Sequence, residues 1–219
     1  MMFEAVIFDW DGTLADTKQV IVVSFQKALS EVNCIVSDEY IERRIGIGAA
    51  DTFCDVLQSA NIRADQKMIK HLVDRKSQLE IELTNQVKLF PGAKELLKAL
   101  HGKVKMGLAS MNNRSVIIHM VEANGLTQFF QAFLTAESIS HSKPHPEIFI
   151  KTASELKTNP EKSVVLEDSI FGVKAAKSAN MGCVAVTTGV YSKEELKEAK
   201  PDLIVKTLCD NQIVPFILN

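Results

Sequence analysis

Two aspartates one residue apart, Asp9 and Asp11, close the apolar run "AVIF" and are followed at once by Gly12. A carboxylate pair at this spacing suits nucleophilic attack coupled to proton transfer, or the gathering of a metal ion. Other candidates stand in comparable places. Ser110, Met111 and Asn112 follow "VKMGLA", Lys143 comes after "AFLT", and Glu167 and Asp168 close "SVVLED". Carboxylates crowded together raise one another's pKa unless a cation sits among them. An all-oxygen set without histidine or cysteine selects a hard cation, and few carboxylates with room for waters and a phosphate oxygen select Mg²⁺. Lys143 and the Ser110 hydroxyl supply a point charge and a donor, which is what a phosphate group requires.

These residues act together only if the chain brings the ends of several strands to one edge. From Arg114 onward the β-rich runs "AFLT", "SVVL", "CVAV" and "DLIV" alternate with segments of helical periodicity, and "FEAVIF" and "VKMGLA" belong with them. The pattern predicts an α/β fold, a six-stranded parallel sheet covered on both faces. In such a sheet ligands bind beyond the carboxyl ends of the strands. Pro146 suits the first turn of the helix "PEIFIKTASELK", and Gly182 is expected to end the helix beginning near Ser169 in a left-handed conformation.

Residues 18 to about 88 have another texture. Val22, Phe25, Leu29 and Val32, then Phe53, Val56, Leu57 and Ala60, then Ile69, Leu72 and Val73 fall at helical spacing, with Ser37 and Asp65 as N-caps. A helical block this long exceeds an ordinary crossover. The expectation is a core of residues 1–17 and 88–219 with an inserted helical domain over 18–87.

The motifs "DWDGTLADT", "LAS", "SKPHPEIF" and "VVLEDS", in this order, resemble those of the haloacid dehalogenase superfamily, in the branch with β-phosphoglucomutase, phosphoglycolate phosphatase and sugar-phosphate phosphatases. The resemblance covers essentially the whole chain and implies a Rossmann-like core with an α-helical cap. It implies Asp9 as nucleophile forming an aspartyl-phosphate, and Asp11 as the acid that protonates the leaving oxygen and then activates water. Mg²⁺ would be held by Asp9, the Asp11 backbone carbonyl and Asp168, with Glu167 a direct or more remote partner. Ser110, Lys143 and backbone N–H groups near Trp10 and Met111, beside Asn112, would hold the phosphoryl oxygens. Hinges are expected near residues 15–18 and 87–91. The turn after β-strand one needs Gly12, and Thr13 helps close it.

The resemblance also separates chemistries. Dehalogenases and phosphonate hydrolases replace the second aspartate, so Asp11 points to phosphate esters. Mutase relatives carry a histidine shortly after the "DT" pair, and "KQVIVV" has none. The expected function is a Mg²⁺-dependent phosphatase acting on a small phosphorylated metabolite of sugar-phosphate or phosphoglycolate type. The alternatives are a phosphosugar mutase or a catalytically silent regulatory protein that binds such metabolites. "RRIGIGAADTF" supplies Arg43 and Arg44 as candidate contacts to the substrate beyond its phosphate, with Gly46 and Gly48 allowing a tight loop. As a dinucleotide loop it fails, because Asp51 takes the third glycine position.

The bulk properties agree. The balance of 25 basic against 27 acidic residues leaves no basic stripe for nucleic acid. No apolar run is long enough to cross a bilayer, no leader segment is visible, and the four cysteines form no C-x-x-C pair. A cytoplasmic protein, monomeric or weakly dimeric, is expected. His141 and His145 have metal-like spacing, but their loop setting favours solvent-facing or capping roles.

Overall fold

Ala5–Phe8 forms β1, every residue of it buried, because Val6 and Phe8 enter one apolar core while Ala5 and Ile7 enter another. Alternation along a strand sends neighbours to opposite faces, so a strand apolar at every position lies in a sheet covered on both sides. The computed structural model describes residues 3–219; the first two residues of the expected core lie outside that range.

After β1 comes the two-residue strand β2 (Ala15–Asp16), then the helices α1 (Lys18–Ser30), α2 (Asp38–Glu42), α3 (Ala49–Ser59) and α4 (Gln66–Glu82), then β3 (Lys88–Leu89). The chain continues as α5 (Ala93–Leu100), β4 (Lys105–Ala109), α6 (Arg114–Ala123), β5 (Ala132–Leu134), α7 (Glu147–Glu155), β6 (Ser163–Glu167) and α8 (Ile170–Ser178). It ends with β7 (Gly182–Val186), α9 (Lys193–Glu198), β8 (Leu203–Val205) and α10 (Ile213–Leu218).

Six strands make one parallel sheet in the order β5-β4-β1-β6-β7-β8. Strand β1 is central, and the chain builds outward first on one side of it and then on the other. The switch opens a crevice at the carboxyl ends of β1, β4 and β6. Helices α5, α6 and α10 cover one face through Leu97, Ile117 and Ile213, and α7, α8 and α9 cover the other through Phe149, Val173 and Leu196.

The helices α1 to α4 close on a separate cluster in which Phe25 and Phe53 meet at 4.7 Å and Leu29, Val56, Leu57 and Leu72 fill the centre. Ser37 accepts a hydrogen bond from the Tyr40 N–H, and Asp65 from the Met68 N–H, each satisfying a donor that the helix start leaves free. Two details differ from expectation. Ala60 is an exposed C-cap rather than a core residue, and Gly182 begins β7 while Asn180, at φ 56°, takes the left-handed position after α8. Asparagine tolerates that conformation because its short polar side chain bonds locally.

Strands β2 and β3 pair antiparallel, Ala15 with Leu89 and Asp16 with Lys88. The chain therefore enters and leaves the helical segment side by side. No described helix is long and apolar enough to cross a membrane.

Candidate active site

Asp9 leaves the end of β1 with its N–H donating to the Leu166 carbonyl at 3.0 Å, so its backbone is fixed by the neighbouring strand. Its side chain is buried and meets Lys143, whose Nζ donates to Asp9 Oδ1 and to Glu167 Oε1, both at 2.7 Å. Lys143 reaches this point from the loop before α7, through a cis peptide to Pro144. Glu167 is held at its other oxygen by the Asp168 and Ser169 N–H groups and the Ser169 hydroxyl, at 2.8–2.9 Å. The carboxylate of Glu167 thus ties Lys143 to the first turn of α8.

Asp168 accepts a hydrogen bond from the Thr13 hydroxyl at 3.0 Å, so Thr13 does more than close the turn after β1. Space for the Asp168 carboxylate exists because two glycines face it. A Cβ on Gly12, whose φ is +83°, would stand 2.3 Å from Asp168 Oδ2, and one on Gly189 would stand 1.8 Å away. A side chain at either position would force Asp168 to move.

Asp11 is held differently from Asp9. Its Oδ2 accepts from the Ser110 hydroxyl at 3.1 Å, while its buried Oδ1 makes no close hydrogen bond, although the Thr17 hydroxyl also bears on the carboxylate. Ser110 Oγ accepts in turn from the Asn112 N–H at 3.0 Å. Asn112 Oδ1 then takes a bond from Lys76 Nζ at 3.2 Å, and Lys76 also pairs with Glu80 Oε2 at 2.8 Å. Lys76 and Glu80 belong to α4 and are buried, so the helical segment places an ion pair directly over the loop after β4.

Electrostatics follow from this crowding. Burial, opposed by Lys143 and reinforced by Glu167 and Asp11, holds the Asp9 carboxyl well above its ordinary range. Burial, with Glu167 and Asp9 beside it, does the same to Asp168. Asp11 is raised by burial, against the pull of Lys76 and the Thr17 and Ser110 hydroxyls. Burial alone would lower Lys143, but Asp9 and Glu167 outweigh it and keep the ammonium charged.

Asp9, Glu167 and Asp168 each offer an oxygen within 4.8 Å of the others. Three buried carboxylates against one ammonium leave negative charge in excess, and the donor set is entirely oxygen. Both properties fit a hard divalent cation such as Mg²⁺.

Above Asp9 and Asp11 lies a cavity of about 30 Å³, walled by Ile21, Phe25, Arg44, Ile47, Lys76, Met111 and Asn112 among others. That volume holds little more than water. Arg44 and Arg43 part here. Arg44 lines the cavity and its guanidinium stacks on the Tyr40 ring at 3.6 Å. Arg43 does not reach it: its guanidinium pairs with Glu195 and lies 4.4 Å from the centre of the Tyr191 ring, whose hydroxyl donates to the Arg43 carbonyl at 2.6 Å. The carboxylate of Glu195 and the face of Tyr191 draw it to the outer edge, so it fastens the helical segment to α9 and does not face the carboxylates.

Sequence reasoning missed Lys76 and Glu80. A signal was present, because Leu72, Lys76 and Leu79 or Glu80 share one helix face, and charged residues on an apolar stripe invite a search for partners. It also missed that Thr13, after β1, supports the Asp168 carboxylate after β6, and that Ser169 holds the carboxylate of Glu167 two residues before it.

The haloacid dehalogenase-like hydrolase family model matches residues 6–186. The chain belongs to this family. The hydrolase is 28% identical over 211 residues to pyrophosphatase PpaX of Oceanobacillus iheyensis, covering 96% of this chain and 95% of that protein. It is 28% identical over 206 residues to a phosphorylated carbohydrates phosphatase of Thermotoga maritima, covering 93% and 94%. Among solved structures, β-phosphoglucomutase from Clostridium difficile superposes with a TM-score of 0.87 at 26% identity, over 99% of this chain and 97% of that one.

Proposed function

We propose that this hydrolase is a Mg²⁺-dependent phosphatase that cleaves a small phosphorylated metabolite, of sugar-phosphate or phosphoglycolate type, through an aspartyl-phosphate. The observation that carries the reading is the unequal holding of two buried carboxylates. Asp9 is fixed by Lys143, as a nucleophile needs, whereas Asp11 keeps one oxygen without a close hydrogen bond, as a proton carrier needs. The kinship with pyrophosphatase PpaX and the carbohydrate phosphatase supports it.

The Asp9 carboxylate attacks phosphorus, the P–O bond to the leaving group breaks, and Asp11 gives its proton to the departing oxygen. Water then attacks the phosphoryl group, Asp11 takes back a proton, and phosphate leaves Asp9 as it was. Asp11's pKa, raised by burial, suits the first of these duties. Lys143, Ser110, Met111 and Asn112 surround the phosphoryl oxygens, and the Lys143 charge is neutralised in advance by Asp9 and Glu167. Asp9, Asp168 and the Asp11 backbone carbonyl would hold Mg²⁺, which would offset the negative charge that otherwise repels a phosphate. With both its oxygens engaged, Glu167 acts through Lys143 and the start of α8.

Residues 18–87 act as a lid on the core of 1–17 and 88–219. The narrow space that α1 and α4 leave above Asp9 and Asp11 suits a lid that opens for substrate and closes for chemistry. Arg44 and Lys76 then meet the part of the substrate beyond the phosphate.

A phosphosugar mutase is the second reading, favoured by the likeness to β-phosphoglucomutase. The residues Lys18–Val23 contain no histidine, which weighs against it. Incubation with a panel of phosphorylated metabolites and Mg²⁺, beside Asp9→Asn, separates the readings. Free phosphate from at least one compound, lost in the variant, is expected. A product that retains its phosphate favours the mutase. Absence of any turnover, with metabolite binding intact, favours a silent regulatory protein.

A further inference from the structure

The loop that carries Lys143 holds a second group of metal-ligating side chains. His141 and His145 flank Lys143 at two residues on either side, and Glu147 begins α7 just beyond. None of the three lines the cavity above Asp9 and Asp11. Their spacing alone favoured solvent-facing or capping roles, but in the fold they converge. One ligand atom from each lies within 4.8 Å of the other two. His141 Nδ1 is 3.0 Å from Glu147 Oε2, and the two imidazole rings stand 4.6 Å apart with planes inclined at 33°.

We propose that His141, His145 and Glu147 form a site for a borderline divalent cation of the Zn²⁺ class, distinct from the acidic cluster at Asp9. The donor set decides the class of ion. Two imidazoles and one carboxylate select Zn²⁺, Co²⁺ or Ni²⁺ over Mg²⁺, and three protein ligands leave room for water at the remaining position.

The His141–Glu147 pair needs little adjustment, and His145 closes on it from within 4.8 Å. Ligands about 2.0–2.1 Å from a tetrahedral ion stand roughly 3.3 Å apart, close to the separation already present between His141 and Glu147. Ligation through Nδ1 leaves the single proton of the neutral His141 ring on Nε2. The His145 Nδ1 contact with the Glu147 N–H, at 3.3 Å, is long and easily exchanged.

Glu147 is prepared for this role. The Ser140 N–H, shared between both oxygens, the His141 N–H on Oε2 at 3.0 Å and Lys151 Nζ at 2.6 Å from Oε1 fix the carboxylate, with Oε2 also facing the His141 ring. Among the described residues Lys151 is the cation paired with Glu147, and it weakens the attraction for an ion without occupying its place. With His141 largely exposed, the site opens to solvent. Metal at this site closes a ring of chain around Lys143 and clamps the loop that delivers it.

Co²⁺ is a direct probe because its visible spectrum reports coordination. Tag-free protein carrying Cys54→Ser and Cys209→Ser, which remove the two exposed thiols, is titrated in millimolar Mg²⁺ that saturates the acidic cluster. About one equivalent of Co²⁺ is expected to bind, with visible absorption and a raised thermal midpoint. His141→Asn and His145→Asn should each weaken binding about tenfold or more and remove the midpoint shift. Binding unchanged in both variants, or absent from the parent, overturns the proposal. The readout is metal binding, so failure here leaves the phosphatase reading untouched.

Discussion

Lys143 Nζ lies 2.7 Å from Asp9 Oδ1 although 134 positions separate the two in sequence. Both are buried, and the same ammonium serves Glu167 at the same distance. A charge shared in this way neutralises part of the excess of a carboxylate cluster, and its removal exposes what it was balancing.

Lys143→Met is therefore expected to unfold more easily by about 3–5 kcal/mol, since two buried carboxylates lose their counter-charge. Lys143→Arg should restore little, because a planar fork does not occupy the place of a compact ammonium between two oxygens. Urea unfolding of the three proteins measures both. A loss under about 1 kcal/mol in Lys143→Met would remove Lys143 from the centre of the site's electrostatics.

The metal-free protein should become less stable as pH rises above the unfolded carboxylate value of about 3.9. Asp9 and Asp168 have folded pKa values raised above the unfolded value near 3.9, so the folded state binds more protons and stability falls as pH climbs through the raised values. Glu147 and Glu195, both lowered to about 2, act oppositely, and their contribution is lost only below about pH 4.5. Thermal midpoints at pH 5.5 and 7.5 test the sign. Addition of Mg²⁺ at pH 7.5 should erase the difference, and Asp168→Asn should reduce it.

Lys76 and Glu80 form the buried ion pair of α4, with Glu80 Oε1 unpartnered. Burial raises the Glu80 pKa against the pull of Lys76. Lys76→Met should cost about 3–5 kcal/mol, and the double variant Lys76→Met with Glu80→Leu should recover most of it. A double-mutant cycle showing simple additivity would mean that the pair is not coupled.

Arg43 and Arg44 should differ although they are neighbours. Arg44→Ala is expected to raise KM about tenfold with a smaller effect on kcat, because the residue lines the cavity. Arg43→Ala should leave KM within about twofold, because its guanidinium is held at the solvent-facing edge by Glu195. Steady-state kinetics on whichever ester the panel identifies distinguishes the two. Equal effects on KM would return Arg43 to the substrate.

The sheet was legible in the sequence because both faces of each strand are buried, which leaves short continuous apolar runs bounded by turns. All six runs became strands. The helical block was legible for the complementary reason, its three-and-four spacing. Asp9, Asp11, Ser110, Lys143, Glu167 and Asp168 could be brought together because a parallel sheet collects the ends of its strands at one edge.

Other features depend on where separate elements dock, which spacing within one element does not encode. Lys76 reads as an ordinary surface lysine until α4 is laid over the loop after β4. Arg43 turns outward because Tyr191 and Glu195, some 150 residues away, offer it a ring face and a carboxylate. The convergence of His141 and His145 rests on how their loop folds back on Glu147.

The short ribbon of β2 and β3 has a consequence of its own. Asp16 and Lys88 stand in register, so the two ends of the helical segment are separated by one interstrand spacing of about 5 Å. A tight two-residue turn could bridge that gap without disturbing β1. The helices over the carboxylates thus join the sheet at two adjacent peptide junctions, and a segment of different length attached there would leave the path of β1 unchanged.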